Sequence, residues 1–256
     1  VVIAILAVWV AGRQNEITEK LTTQQNTITQ QQTIDTYFQG ISELVLDDEG
    51  QMEDWPLERA IAEARTAALL ASVDAGGKAK VIRFLSSANL LTPLRRDGML
   101  GRPILDGAGG YVVDLVKGVR VINLGSMLAG QNLSHTDLRR VVFTGANLAR
   151  VNLEGCNLAE ADFTGAILQK ANLRGADLTG VRFFWGEDAQ AATPRHRTLV
   201  ANFQTGVHTG AVVEGIDVTG ATGISPEQRQ YLCAWGGEET RRTLPGGCRA
   251  IAPQAR

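Results

Sequence analysis

The chain has 256 residues, enough for two small domains. Its formal net charge of −2 is too close to zero to predict a strongly acidic or a strongly basic partner. Its three cysteines are too few for a disulfide framework. We expect Cys156 to pack as a small apolar side chain. For Cys233 and Cys248 the sequence leaves open both a disulfide and two free thiols, the state typical of the cytosol.

Residues 1–12, VVIAILAVWVAG, are uncharged and strongly apolar. Twelve helical residues span about 18 Å, whereas the hydrocarbon core of a bilayer is about 30 Å thick. We therefore predict that residues 1–12 are a partial transmembrane helix whose start is missing, with Trp9 at the membrane interface. A signal-peptide core and a buried helix are the alternatives.

Residues 13–98 are predicted to form a helical spacer and cap region. The Gln-rich stretch 14–46 indicates one long polar helix. Its second half carries an apolar face at helical spacing, which suits packing against a partner or against the chain's own domain. That face consists of Ile34, Phe38, Ile41 and Val45.

Two more helices are predicted in this region. Five acidic residues between positions 47 and 54 predict a solvated loop rather than a cation site, because the spacing of an EF-hand is absent. Pro56 is expected to open a helix that runs to about Ser72. Gly76-Gly77 should end that helix, and residues 78–91 should form the next one.

A lead-in precedes the most regular part of the chain. The Gly-rich stretch LDGAGG at 105–110 lacks the full dinucleotide-binding fingerprint and predicts a turn. Residues 111–124 are rich in β-branched side chains, and we expect them to build a first, irregular coil of the structure that follows.

Residues 126–183 repeat with a period of five. Leu or Phe recurs at every fifth position, twelve times from Leu128 to Phe183, with a small side chain two places earlier and often Asn or Asp between them. This period fits neither a helix nor a flat strand. It fits a chain that turns a corner every five residues.

The pattern resembles that of the pentapeptide-repeat family. The resemblance implies a right-handed quadrilateral β-helix with twenty residues per coil, so residues twenty apart should stack. Phe143, Phe163 and Phe183 then share one column, and leucines fill the other three. We predict an α+β fold in which this solenoid occupies residues 99–224, with the regular core at 126–183, after the small α-helical region and the partial transmembrane helix. The arrangement also resembles cyanobacterial membrane-anchored pentapeptide-repeat proteins with a helical region before the repeats.

Outward-facing residues twenty apart should also pair between coils. We expect an amide ladder and two ion pairs from these columns: Asn132–Asn152–Asn172, Glu154–Arg174 and Asp162–Arg182. Five glycines, at 145, 155, 165, 175 and 180, are expected at corners with positive φ.

The five-residue pattern lapses after Phe183. Phe203 returns twenty residues later, and Val213 and Val218 keep the phase, so we predict an excursion at 186–198 and a degenerate last coil at 199–223. Ser225-Pro226 should open a short helix, about 225–234, that covers the open end of the coil. The C-terminal part, 225–256, is thus predicted to be this capping helix and, after Gly236, a flexible tail.

Six side chains are candidates for contacting a partner: Trp185, Arg195, His196 and Arg197 where the pattern lapses, and Arg150 and Lys170 on the coil surface. A disordered excursion without contacts is the alternative. The three histidines are scattered, and the sequence contains neither a family-spaced nucleophile–histidine–carboxylate set nor zinc-ligand spacing. We therefore predict no enzyme activity, no catalytic or metal-binding residues, no cofactor and no small-molecule substrate.

The first functional hypothesis is a membrane-anchored scaffold or protein-interaction module. The resemblance to cyanobacterial proteins implies attachment to protein subunits of a photosynthetic thylakoid complex or another membrane complex, with the repeat domain in the cytoplasm. The alternative is a DNA-mimic binder of topoisomerases, which some members of the family are. Mimicry needs a strongly negative face, but residues 126–183 contain five acids and six bases.

Direct nucleic-acid binding is a third hypothesis. It would use Arg139, Arg140, Arg150 and Lys170, but these side chains are interleaved with acids, so a solvated surface is favoured and no nucleic acid is expected.

Overall fold

The computed structural model describes residues 2–45, 55–98, 103–196 and 198–248. Three helices precede the repeats and two follow them: α1 Val2–Val45, α2 Trp55–Ser72, α3 Ala75–Ser87, α4 Pro226–Trp235 and α5 Gly237–Thr243. Between α3 and α4 the described backbone forms isolated β-bridges rather than extended strands. The acidic loop predicted at 47–54 lies outside the described residues.

The second half of α1 packs into a small helical cap with α2 and α3. Ile34 and Ile41 are buried, as the apolar face predicted, and Phe38 stacks on Phe84 of α3 with ring centroids 4.2 Å apart. The Tyr37 hydroxyl lies 2.7 Å from Thr66 Oγ1 on α2. Burial raises the pKa of Tyr37 to about 12, although the Thr66 hydrogen bond opposes the shift.

The first part of α1 is different, because residues 9–29 are exposed along their whole length. The boundary predicted at residue 12 falls inside this continuous helix. None of the helices in the described part of the chain combines the length and the apolar character that crossing a membrane requires.

The break between α2 and α3 lies at Val73–Asp74, not at Gly76-Gly77 as predicted. Asp74 caps α3, and its Oδ1 accepts a hydrogen bond from the backbone N–H of Gly77 at 2.7 Å. A Cβ on Gly77 would lie 2.8 Å from Val73 Cβ, so glycine here permits close packing rather than ending a helix. Helix α3 also ends before the predicted position 91, because Leu90 N–H returns to the Leu85 carbonyl.

The lead-in forms a small antiparallel arrangement instead of the predicted first coil. Leu94 pairs with Val113 and with Val119, and Leu105 pairs with Tyr111 around the turn predicted at 105–110. The β-branched residues of this stretch therefore pair with the chain that precedes them and not with the repeats. Pairing with the coils begins at residue 125, whose carbonyl accepts from the backbone N–H of residue 147 at 2.9 Å.

The repeats coil as predicted, with four sides and twenty residues per turn. Parallel bridges join residues twenty apart on each side: Asn132 to Asn152, Asp137 to Asn157, Val142 to Asp162 and Asn147 to Ile167. The Leu and Phe side chains at every fifth position are buried inside the tube. Phe143 and Phe163 stack at 5.0 Å, and Phe163 and Phe183 at 6.1 Å.

Most corners of the tube are stabilised by the Asn or Asp residue before the buried Leu or Phe. The Oδ1 of Asn152, for example, accepts from the backbone N–H of Glu154 at 3.2 Å, and eight other Asn or Asp residues of the coils make the same turn. Two places after the buried residue, the backbone has positive φ whatever the side chain: 63° at Gly175 and 58° at Lys170. The five corner glycines are confirmed.

The amide ladder is confirmed. Asn152 Nδ2 donates to Asn132 Oδ1 at 3.1 Å, and Asn172 Nδ2 donates to Asn152 Oδ1 at 3.0 Å. The Asp162–Arg182 ion pair also forms, at 3.5 Å.

The Glu154–Arg174 pair was predicted wrongly. Arg174 pairs with Asp217 at 3.1 Å, because the last coil brings that carboxylate onto the same side of the tube. Glu154 instead accepts from Asn172 Nδ2 at 3.1 Å.

The last coil is displaced along the sequence. Three parallel bridges join residues 45 apart, Ile167 to Val212, Asn172 to Asp217 and Asp177 to Thr222. Val213 and Val218 are buried in the tube as predicted, but Phe203 does not continue the Phe column. The predicted coil at 199–223 is therefore wrong over its first part, and its regular part begins at Ala211.

Helix α4 closes the C-terminal end of the tube, as predicted. Tyr231 takes the next place in the aromatic column, 6.4 Å from Phe183, and its hydroxyl donates to the Ala211 carbonyl at 2.7 Å. Gln228 Nε2 donates to the carbonyls of Leu178 and Val181 at 2.9 and 2.7 Å. The second bond satisfies a carbonyl that has no further coil to bind, since the equivalent carbonyl of Val141 accepts from Asp162 N–H of the next coil.

The predicted flexible tail contains additional structure. Residues 237–243 form α5, and Thr240 is buried with its Oγ1 3.3 Å from the Val213 carbonyl. A disulfide joins Cys233 of α4 to Cys248, which resolves the two possibilities left by the sequence. Cys156 is buried and free, as expected.

Candidate functional site

An insertion interrupts the tube at a single corner. The regular coil stops at Phe183, the third Phe of its column, and resumes at Ala211. The backbone N–H of Ala211 donates to the Phe183 carbonyl at 2.7 Å. The same bond joins Ala166 to Phe163 at 2.8 Å in the coil below. Residues 183, 209, 210 and 211 read F-T-G-A, the sequence found at 143–146 and 163–166. We call residues 184–208 the inserted segment.

The inserted segment folds back over the corners of the two preceding coils. Arg195 Nη1 donates to the carbonyls of Gly145 and Gly165, at 3.1 and 3.4 Å. The base of the segment is held by a parallel bridge between Pro194 and Gly210. His208 N–H donates to Thr193 Oγ1 at 2.8 Å.

A cleft of about 330 Å³ lies between the inserted segment, the lead-in and the coil corners. Its polar lining includes Arg120 from the lead-in, Thr164 from a corner, and Arg195, His196 and His208. The imidazole rings of the two histidines are 6.0 Å apart. We call this space the corner cleft.

Two guanidinium groups approach one point in the corner cleft. Arg195 Nη1 and Arg120 Nη2 lie 3.1 and 3.5 Å from the place that a Cβ would occupy on Gly145. Arg120 Nε donates to the Leu91 carbonyl at 3.1 Å. Burial, and then the charge of Arg195, lower the pKa of Arg120.

The aromatic residues of the inserted segment make internal contacts. Trp185 is half-buried and meets the edge of Phe203 with ring centroids 6.0 Å apart. The guanidinium of Arg182 lies over the Trp185 ring at 5.0 Å. Phe203 therefore packs within the inserted segment rather than in the tube.

The six candidate contact residues do not form one surface. Arg195 and His196 line the corner cleft, while Trp185 lies at the start of the inserted segment. Arg197 lies outside the described residues. Arg150 and Lys170 are exposed at positive-φ corners that do not line the cleft.

Sequence reasoning missed three residues of the corner cleft, Arg120, Thr164 and His208. They come from the lead-in, a regular repeat and the end of the inserted segment, so no local motif joins them. The one available signal was the split F-T-G-A turn, which marks where the insertion starts and ends. Among the described residues, no three His, Cys, Asp or Glu side chains converge closely enough to hold a metal ion.

Comparison with known proteins identifies the repeats. A family profile described as Pentapeptide repeats (8 copies) matches residues 127–158 and 146–183. No curated protein matches the chain significantly.

Two solved structures are similar in sequence to this chain at 28% identity. One is a pentapeptide repeat protein from the Arabidopsis thaliana thylakoid lumen, for which the match covers 45% of this chain and 85% of the other, with a TM-score of 0.19. The other is a pentapeptide repeat protein from the cyanobacterium Cyanothece 51142, for which the match covers 35% of this chain and 66% of the other, with a TM-score of 0.18. Residues 127–183 of the chain are thus pentapeptide repeats, which imply a right-handed quadrilateral β-helix and are typically non-catalytic.

Proposed function

We propose that the protein is a non-catalytic scaffold or protein-interaction module in which a capped tube carries an exposed helical arm. The arm is residues 9–29 of α1, and its exposure is the observation that carries the proposal. The same helix is fixed in the cap by Ile34, Tyr37 and Ile41. The arm exposes five large apolar side chains, Trp9, Val10, Ile17, Leu21 and Ile28. Burial of such side chains against a protein partner is favourable.

We extend this proposal to membrane attachment. The uncharged run 2–12 opens α1 and overlaps the start of the arm, so insertion of this end of the helix into a bilayer would place the tube beside a membrane. The proposed partners are then protein subunits of a membrane complex, photosynthetic or otherwise.

The arm is tested by affinity purification of the full chain from detergent-solubilised native membranes. The triple variant Ile17→Ser, Leu21→Ser, Ile28→Ser should lose co-purifying proteins that the native chain retains. Leu105→Ser, which changes an exposed apolar residue outside the arm, is the matched control and should retain them. Migration of the native chain alone, at its monomer mass, would contradict the proposal.

The disulfide supports a different compartment from the predicted cytoplasm. Disulfides persist in oxidising compartments and are rare in the cytosol, and the Cys233–Cys248 disulfide ties the chain after α5 to the capping helix. We propose that the repeat domain lies on the oxidising side of its membrane. Alkylation of protein extracted under acid quench should modify one thiol, Cys156, after unfolding without reductant. Modification of all three cysteines would contradict this compartment.

The DNA-mimic alternative has less support, since most acids of the repeats are locally compensated. Asp137 pairs with Arg83 and Arg139, Glu160 pairs with Arg140, and Asp162 pairs with Arg182. A continuous negative face of the kind that mimics phosphates is therefore not formed by these side chains. Stoichiometric inhibition of gyrase supercoiling by the purified chain would favour this alternative over the scaffold.

A further inference from the structure

We propose that the corner cleft is a binding site for a small organic anion, with an acidic head group, phosphate or carboxylate, on a short apolar body. The site would be held jointly by the inserted segment, the lead-in and the coil corners. The site does not involve the arm, so this proposal and the scaffold function are tested independently of each other.

The first support is an excess of positive charge. Arg120 and Arg195 approach the same point at Gly145, and the described residues that line the cleft include no Asp or Glu. Neither arginine takes part in an ion pair between described residues, and the bonds that their guanidinium groups make are to backbone carbonyls. Arg120 is partly buried and Arg195 is exposed, and two like charges that approach one point are stabilised by an anion placed between them.

The second support is an unsatisfied hydroxyl. Thr164 lines the cleft and is only 2% exposed, and its Oγ1 has no hydrogen-bond partner within the described structure. Buried polar groups without a partner are uncommon and often mark a ligand or functional site. His196 also lines the cleft, and its Nδ1 accepts a hydrogen bond from Thr198 N–H at 3.3 Å.

The third support is an apolar rim. Val116 of the lead-in and Leu199 and Val200 of the inserted segment line the cleft while remaining more than half exposed. Val200 is 76% exposed, and covering it would favour a ligand that has an apolar body. The volume of about 330 Å³ lies at the lower end of the range for ligand sites, which fits a molecule of one ring or a short chain.

Calorimetric titration of the full chain tests the proposal with three probes: phenyl phosphate, inorganic phosphate and benzoate. We expect one-to-one binding of phenyl phosphate or benzoate, and the tighter of the two identifies the head group. Inorganic phosphate should bind at least about 10-fold more weakly than phenyl phosphate, because it leaves the apolar rim uncovered. Absence of binding by all three probes at millimolar concentration would overturn the proposal.

Variants locate the binding. Arg195→Gln should weaken the tighter probe about 10-fold or more, whereas Arg150→Gln, which removes the same charge from an exposed corner away from the cleft, should leave the affinity within about twofold. Equal affinities of these two variants would overturn the proposal. If Arg195→Gln fails to fold, Thr164→Val is the second test. This variant keeps the side-chain shape and should melt at the native melting temperature or above. It should weaken binding about threefold or more. Native affinity in Thr164→Val would then count against the site.

Discussion

The backbone N–H of Ala211 lies 2.7 Å from the carbonyl oxygen of Phe183, and this bond closes a coil across an insertion. Before the insertion, paired residues are 20 apart, and after it they are 45 apart, a difference of 25 residues. The inserted segment is thus an addition to one corner, and the tube continues past it with three of its sides in register.

Deletion of residues 184–208 should therefore leave the fold intact. The deletion joins Phe183 to Thr209 and restores the F-T-G-A corner of residues 163–166. We expect a soluble protein with a cooperative thermal transition and a circular dichroism spectrum that retains the native repeat signal. Deletion of residues 184–206 is the control, because it breaks the five-residue phase and should disrupt the last coil and its cap. Equal behaviour of the two deletions would show that the register is not set at this corner.

The amide ladder should contribute measurably to stability. Asn152→Ala removes bonds to Asn132, Asn172 and the Glu154 N–H, and we expect the free energy of unfolding to fall by about 2 kcal/mol. Asn147→Ala is the matched control, because it removes one such bond, to Ala149 N–H, and should cost about 1 kcal/mol or less. Urea denaturation measures both. Equal losses would show that the inter-coil amide bonds add nothing.

Positive φ at the corners makes the effect of glycine predictable. Lys170→Gly, at φ 58°, relieves left-handed strain of about 1–2 kcal/mol but adds flexibility to the unfolded chain, so the net effect is neutral to stabilising by about 1 kcal/mol. Gly175→Ala, at φ 63° with no heavy atom within 4 Å of a new Cβ, should be destabilising by about 1 kcal/mol from backbone strain alone. Melting temperatures that move in the opposite directions would contradict the corner geometry.

The contribution of Asp137 to the stability of the first coil should fall in acid. Asp137 accepts hydrogen bonds from Arg139 and from Arg83 of α3, and the Arg139 side-chain bonds are the main reason that its pKa falls from 3.8 to about 2. Because the folded pKa is below the unfolded one, this stabilisation is present above pH 3.8 and is lost as the pH falls to about 2. The drop in unfolding free energy over this range should be smaller in Asp137→Asn. An identical drop in both proteins would show that Asp137 is not responsible.

The regular coils could be predicted because their register is local and periodic. The buried Leu and Phe positions of the regular coils follow from the five-residue period. The Phe143–Phe163–Phe183 stack and the Asn ladder follow from the coil length of twenty residues. The five-residue phase could not decide the position of the last coil, because the insertion itself is a multiple of five. Phe203 therefore matched the Phe column in sequence but not in space, where Tyr231 of α4 takes the place.

Other differences arise from long-range packing. The β-branched residues at 111–119 could pair either with the repeats or with the chain before them. They pair with Leu94, and their composition alone does not distinguish the two arrangements. Gly77 was interpreted as a helix breaker, whereas it makes room beside Val73 within the first turn of α3. The corner cleft could not be foreseen, since Arg120, Thr164 and Arg195 meet only after the inserted segment folds back.

Disulfide trapping tests the displaced register of the last coil most directly. Adjacent coils lie about 4.8 Å apart, which is within the Cα separation that a disulfide bridges. Asp177→Cys with Thr222→Cys, 45 residues apart, should form a cross-link that peptide mass mapping detects, whereas Arg182→Cys with Asn202→Cys, 20 residues apart, should not. A cross-link in the second pair and none in the first would contradict the account.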